Sequence, residues 1–164
     1  MAEDHSQVQN HRPIALISCA AEKFYKPEVI IDIATLTGAV VFALGHFYTA
    51  VMTEDDALAD QILEVGKAAG ERTWRLPLDE DFKRANATPV ADLANSGAGA
   101  KYGAGTITAA WFLRHFVSKS RWAHLDIAGT AHDVPDISYI GQGATGAGVR
   151  FFVEFIMTYR NKAK

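Results

Sequence analysis

Two aspartates stand among apolar residues in two similar segments, each at the end of a predicted strand. Asp32 lies in IIDIATLTGA (residues 30–39), and Asp126 lies in HLDIAGTAHD (residues 124–133). Carboxylates in apolar surroundings have displaced pKa values and can bind metals or transfer protons. They can also accept hydrogen bonds from loop N–H groups and anchor a turn. We favour this structural role, because a metal site needs several more ligands.

The histidines and the single cysteine form no recognisable catalytic motif. No two of the six histidines have the HExxH spacing, and no serine lies in a GxSxG elbow. His124 alternates with Asp126 on a predicted strand, and the other histidines fall in predicted loops, helices or the N-terminal arm. Cys19 lies in a helical pattern, which predicts a buried small residue in a reducing compartment rather than a nucleophile.

The glycine-rich segment SGAGAKYGAG (residues 96–105) could hold a phosphate, but it lacks the usual motifs. It has no Gly-Lys-Ser/Thr ending, and its glycine spacing does not fit the dinucleotide fingerprint. Lys101 could still meet an anion at the N-terminus of the following helix. Nucleotide binding is therefore a distant alternative function.

The composition excludes several classes of partner. The 164 residues carry a net charge of −3 without a basic run, which argues against nucleic acid and against an anionic membrane surface. The longest apolar stretch is far shorter than the roughly 20 residues that a membrane span requires. Residues 1–13 are polar without an apolar core, so we expect a loosely ordered arm rather than a signal peptide. The expected location is cytoplasmic.

Helix and strand patterns alternate along the rest of the chain. This alternation predicts an α/β fold, with a largely parallel sheet covered by helices on both faces. The predicted strands are residues 28–35, 47–53 and 121–129. The first predicted helix begins at Pro13, and a short buried helix follows at 38–45. A third helix is capped by Thr53 and ended by Gly70. Two more are predicted at 106–117 and 148–162. The stretch between residues 74 and 105 is predicted to be rich in loops.

Three segments of small residues follow or border the predicted strands: ATLTGA, SGAGAKYGAGT and AGTAHD. In open α/β sheets, ligands bind beyond the carboxyl ends of the strands. Small residues let a ligand approach the backbone there. They also let helices pack tightly on strands, and spacing alone does not decide between these interpretations.

Five stretches, in order, resemble the C-terminal half of the catalytic domain of the leucine aminopeptidase family, also called cytosol aminopeptidase. They are EVIIDIATLTGA, WRLPL, GTITAAWFLRHFV, WAHLDIAGTA and GATGAGVRFFVEF. The resemblance implies that residues 14–164 form part of a larger exopeptidase domain. Members of this family use two divalent metal ions, zinc or manganese, to release N-terminal amino acids such as leucine from peptides. They assemble as hexamers.

The resemblance assigns five residues of this chain to substrate binding. The carbonyl of Leu36 and the N–H of Gly38 would meet the peptide backbone, with Thr35 nearby. Ala128 and Ala131 would line the pocket for the first side chain, and the small Ala131 implies a roomy pocket. Asp32 and Asp126 are not metal ligands in the family pattern. The glycine-rich segment would border the active site, so we expect it to be among the least ordered internal segments.

The metal ligands of the family have no counterpart here. A lysine and two aspartates come from a region upstream of the resemblance. The signature N-T-D-A-E-G-R would align with HSQVQNH, which places Gln7, Gln9 and His11 at its aspartate, glutamate and arginine positions. A one-residue gap in this alignment would place Arg12 at the arginine position without restoring the carboxylates. Alternatively, the N-terminal arm is unrelated to the family sequence. A neutral amide cannot replace a carboxylate that bridges two cations.

We therefore expect no catalytic residue and no metal site in this chain alone. The chain would act on a peptide substrate only when completed by the metal-binding half of the family domain. The alternative function is a non-catalytic scaffold or an oligomer-forming remnant of the family. A half-domain should leave an apolar edge or face uncovered, which predicts a homo-oligomer.

Overall fold

The structure, a computed structural model, describes residues 13–95, 103–136 and 142–162. The predicted arm thus lies almost wholly outside the described residues. A 3₁₀ turn at Arg84–Asn86 follows the fourth helix. The elements are α1 (Pro13–Tyr25), β1 (Val29–Ala34), α2 (Ala39–Leu44), β2 (Thr49–Met52), α3 (Asp56–Ala69), β3 (Thr73–Arg75), α4 (Glu80–Lys83), α5 (Gly105–Arg114), β4 (Arg121–Asp126) and α6 (Val149–Lys162).

The four strands form one sheet in the order β1-β4-β2-β3. The pairs β1–β4 and β2–β3 are parallel, and β2–β4 is antiparallel. The predicted α/β class with a largely parallel sheet is confirmed. The described residues from 74 to 95 are rich in loops, as predicted, and they also contain the end of β3 and the helix α4, which are too short to show a periodic pattern.

Helices cover both faces of the sheet. Side chains alternate between the two faces of a strand, so Trp122, His124 and Asp126 share one face of β4, and Ala123 and Leu125 share the other. The first face packs against α2 and α5, and the second packs against α3 and α6. The core of the first face includes Ile30, Val40, Ala50, Met52, Trp111 and Phe112. The core of the second includes Val51, Leu58, Ile62, Phe151 and Phe155.

Two burial predictions were wrong. Cys19 is exposed, and its neighbour Ser18 is the buried residue of α1. The helix α2 was expected to be buried, but only Val40 lies fully inside, and the side chain of Phe42 is 95% exposed. Both helices are apolar on several sides, so the sequence does not show which side faces the sheet.

The start of α3 also differs from its prediction, because the capping residue is Asp55 rather than Thr53. The Asp55 carboxylate accepts a hydrogen bond from the N–H of Leu58. The Thr53 hydroxyl instead accepts from the N–H of Asp55 and donates to the carbonyl of Trp122. Gly70 ends the helix in the left-handed conformation, as predicted. Within the described ranges, none of the helices is long and apolar enough to cross a membrane.

Candidate functional site

The candidate site lies at the carboxyl ends of β1 and β4. These neighbouring parallel strands end side by side, with Ala34 paired to Asp126. We call residues 35–38 the first loop and residues 127–131 the second loop. The predicted position of ATLTGA and AGTAHD beyond the carboxyl ends of strands is therefore confirmed. Most of the glycine-rich segment, residues 96–102, falls outside the described residues, and so does the prediction about its order.

The end of the glycine-rich segment does reach this edge. A Cβ placed on Gly105, the first residue of α5, would lie 3.1 Å from the Cβ of Ala39, the first residue of α2. The two helix N-termini are thus in close contact directly behind the first loop. A small residue at position 105 is what permits this approach.

The carboxylate of Asp126 joins the two loops and is fully buried. Its Oδ1 accepts hydrogen bonds from the N–H groups of Leu36 (3.0 Å) and Ala128 (3.1 Å). Its Oδ2 accepts from the N–H and the hydroxyl of Thr37 (3.1 and 2.8 Å). A carboxylate offers about four acceptor positions, so these donors occupy all of them. The predicted anchoring role of Asp126 is confirmed.

The Thr37 hydroxyl extends this network to both helices. Its one hydrogen is donated to Asp126, so the Thr106 hydroxyl, 3.0 Å away on α5, must donate to it. It also accepts from the N–H of Val40 (3.3 Å), which supports the first turn of α2. The first loop is therefore held from β4, α2 and α5 together.

The five residues assigned by resemblance lie on these two loops. Leu36 and Ala128 are partly buried, and both pack against the first core face. Thr35 and Gly38 are exposed, and a Cβ at Gly38 would meet nothing within 4 Å. The backbone of Ala131 is held by Ile127 and by the N–H of Thr145. The first loop is thus open to solvent at Thr35 and Gly38, and the second offers small side chains.

The other buried carboxylate, Asp32, binds side chains instead of loop N–H groups, so the prediction of its partners was wrong. Its Oδ2 accepts from the Ser18 hydroxyl (3.1 Å) and from Nε1 of Trp122 (2.7 Å). Its Oδ1 is hydrogen-bonded to Nδ1 of His124. His124 is fully buried, and its Nε2 has no hydrogen-bond partner among the described residues. Sequence reasoning missed this pair, because it depends on the register between β1 and β4.

The described part of the chain does not fit a two-metal centre. It contains no group of three or more histidine, cysteine, aspartate or glutamate side chains placed to hold a metal ion. Asp126 gives its oxygens to loop donors, and Asp32 gives its oxygens to Ser18, Trp122 and His124.

Two acidic residues hold the beginning of β4 and the turn before it. Burial raises the pKa of Glu22, but hydrogen bonds from the backbone N–H groups of residues 118–120 outweigh it and bring the pKa to about 2. Asp55, the cap of α3, is hydrogen-bonded to the guanidinium of Arg121 at 2.6 Å. This contact lowers the pKa of Asp55 and raises that of Arg121.

A cavity opens beside the second loop, but none of the five assigned residues lines it. Its wall includes His46, Thr130 and Arg150. Glu71, also in the wall, accepts hydrogen bonds from the N–H groups of Gly148, Arg150 and Phe151, and so caps α6. The carboxylate in this cavity is thus already used for structure.

Comparison with known proteins gives concordant matches. The family model of the catalytic domain of the cytosol aminopeptidase family matches residues 15–153. The probable cytosol aminopeptidase of Geobacter sulfurreducens is 51% identical over 132 residues, which cover 80% of this chain and 26% of that protein. That of Ehrlichia ruminantium (strain Gardel) is 44% identical over 139 residues, which cover 84% and 28%.

A solved structure agrees with these sequence matches. A mutant of tomato leucine aminopeptidase superposes with a TM-score of 0.78 at 38% identity, covering 88% of this chain and 27% of that chain. The chain therefore spans little more than a quarter of the length of these relatives.

Proposed function

Because this chain belongs to the cytosol aminopeptidase family, we propose that its two loops form the substrate-binding part of a metal-dependent aminopeptidase. The observation that carries the proposal is the Asp126 carboxylate, which holds the N–H groups of Leu36 and Ala128 on one oxygen atom. This contact holds the first loop, which we propose to bind the peptide backbone, beside the second loop, which we propose to form the side-chain pocket. The substrate would be the N-terminal end of a peptide, with a leucine-type first residue.

In this proposal the chain binds and orients the peptide. The carbonyl of Leu36 and the N–H of Gly38 bind the peptide backbone, and Thr35 lies next to them. Ala128 and Ala131 leave room for the first side chain. Fixing the scissile bond in one orientation lowers the entropy cost of the reaction. Two divalent metal ions would supply the activated water. Because the described residues do not fit such a site, the metal ligands would come from the part of the relatives that this chain does not span.

A non-catalytic scaffold is the second candidate function. It is favoured by the absence of a metal-ligand cluster from residues 13–95, 103–136 and 142–162. Metal analysis of the purified chain tests both candidates, since two tightly bound divalent ions per chain would contradict the scaffold and would place the metal ligands within this chain.

The decisive experiment places these loops in a complete relative. Residues 15–153 would replace the matching segment of the Geobacter sulfurreducens relative, and the hydrolysis of a leucine anilide would be measured with manganese. We expect chelator-sensitive turnover, because the relative would supply the metal ligands and this chain the substrate loops. The unmodified relative is the control. A chimaera that folds and binds metal but stays inactive would reject the proposed function.

We also propose a cytoplasmic homo-oligomer, as in the hexamers of the family. The relatives are named cytosol aminopeptidases, which supports the location. Assembly is supported by apolar side chains that are at least 60% exposed on α6: Val149, Val153, Ile156 and Met157.

A further inference from the structure

We propose that Asp126 is a positioning residue that sets the separation of the two substrate loops, and thereby the affinity for the peptide, without touching it. The inference rests on the proposed function for the identity of the loops. The coupling of the loops by Asp126 can be tested independently of that function.

The backbone hydrogen bonds between β1 and β4 end at Ile127, and beyond this point the Asp126 side chain connects the two segments. The last backbone hydrogen bond between these two segments runs from the N–H of Ile127 to the carbonyl of Ala34 at 2.9 Å. The chains then diverge into the two loops, and among the described residues the next links between them are the hydrogen bonds from Leu36 and Thr37 to the Asp126 carboxylate. A single side chain thus continues the pairing of segments that are about 90 residues apart in sequence.

The buried hydrogen bonds of the Asp126 carboxylate hold the two loops firmly in place. The carboxylate is fully buried, so water does not compete for its oxygens. Hydrogen bonds to a charged acceptor are shorter and stronger than neutral ones, and a low local dielectric strengthens them further. Oδ1 holds one N–H from each loop, so neither loop can move relative to the other without losing a bond to this atom.

Asp32 shows that a buried carboxylate in this sheet need not act on the loops. It occupies the neighbouring strand on the same face, and its partners are the side chains of Ser18, Trp122 and His124. Replacing Asp32 should therefore lower stability without uncoupling the loops. Asp32→Asn is the matched control for Asp126→Asn.

The first test uses amide hydrogen exchange in the full chain. In Asp126→Asn one carboxylate oxygen becomes an NH₂ group that faces N–H donors. We expect the amides of Leu36, Thr37 and Ala128 to exchange at least about tenfold faster, relative to the core amide of Val51. In Asp32→Asn, which lowers global stability, this ratio should not rise. Equal ratios in both variants would overturn the inference.

The second test uses the chimaera described above and separates positioning from folding. A positioning role predicts that Asp126→Asn raises KM about tenfold with kcat within about threefold, whereas a loss of folded protein would lower kcat alone. Asp32→Asn should leave KM unchanged. A lower kcat with an unchanged KM in Asp126→Asn would overturn the inference. If the unsubstituted chimaera is inactive, the proposed function fails, and the exchange ratios still decide whether Asp126 couples the loops.

Discussion

The Asp32 carboxylate and Nδ1 of His124 are hydrogen-bonded across the parallel β1–β4 pair, in a region closed to solvent. The same carboxylate accepts from Ser18 and from Trp122, so one acidic group satisfies donors from α1 and β4. The ring of His124 also stacks on that of Trp122, with the centroids 6.3 Å apart. The strand β1 is thus attached to its neighbours by a polar cluster inside an otherwise apolar layer.

Asp32→Ala should destabilise the fold strongly. It leaves three buried donors without an acceptor, and each such group costs about 1–3 kcal/mol. We expect the free energy of unfolding to fall by roughly 3–5 kcal/mol, measured by chemical denaturation. Asp60→Ala, at an exposed position on α3, is the control and should change it by less than about 0.5 kcal/mol. Equal losses in the two variants would contradict this prediction.

The stability contributed by Glu22 should depend on pH in acid. Its pKa falls from 4.5 to about 2 on folding, so the unfolded chain binds more protons between these values. The contribution is therefore fully present above about pH 4.5 and is lost as the pH falls towards 2.

Denaturation of wild type and Glu22→Gln across this range measures the effect. The stability difference between them should be largest near neutral pH and should shrink below pH 4.5. Glu64→Gln, an exposed substitution on α3, should give a small difference throughout. A difference for Glu22→Gln that does not vary with pH would refute the prediction.

Gly129→Ala should separate the second loop from the turn after α2. A Cβ at this position would lie 2.3 Å from the carbonyl oxygen of Gly45, and His46 Nδ1 donates to the carbonyl of Gly129 at 2.9 Å. We expect a loss of about 1–3 kcal/mol in unfolding free energy from overpacking. Gly38→Ala is the control, because its φ of −67° suits alanine and its Cβ position is open. Similar melting temperatures for the two variants would speak against this contact.

The chain alone should not hydrolyse a leucine anilide. In the proposed function the two loops bind the peptide, and metal ions whose ligands lie outside this chain supply the activated water. We expect no release of leucine with added zinc or manganese between about pH 6 and 10. Turnover that appears only when the remaining part of a relative is supplied in trans would agree with this. Chelator-sensitive turnover by the purified chain would show that the expectation is wrong.

Assembly should depend on the outer face of α6. Val153 and Ile156 are three residues apart on this helix, and both side chains are 60% exposed. We expect light scattering to report an oligomer for the wild type and a lower mass for Ile156→Glu, because a buried charge disfavours an apolar interface. Val90→Glu, on an exposed loop residue, should leave the mass unchanged. A monodisperse wild-type monomer at working concentration would exclude the proposed homo-oligomer.

Local patterns were sufficient to predict most of the fold. Continuous β-branched residues indicated β1, and Gly70 indicated the end of α3. The antiparallel β2–β4 pair was not predictable, since strand direction depends on contacts between distant segments. The three residues of β3 are too few to show a period.

For the site, the sequence predicted the position of the loops beyond the carboxyl ends of the strands and the anchoring by Asp126. It could not predict the pairing of Asp32 with His124, because that contact depends on the register between β1 and β4, and the two residues are 92 positions apart in sequence. Nor could it place Ser18 inside and Cys19 outside, since apolar residues surround both in the sequence of α1.

The position of β1 at the edge of the sheet has a consequence for biosynthesis. Its only strand partner among the described residues is β4, whose paired residues lie 92 positions later. At about 5–20 residues per second, the ribosome needs roughly 5–18 s to complete that distance. During this time the apolar segment VIIDIA has emerged without the strand that it pairs with. We expect this delay to leave the segment exposed to chaperones that bind extended apolar segments.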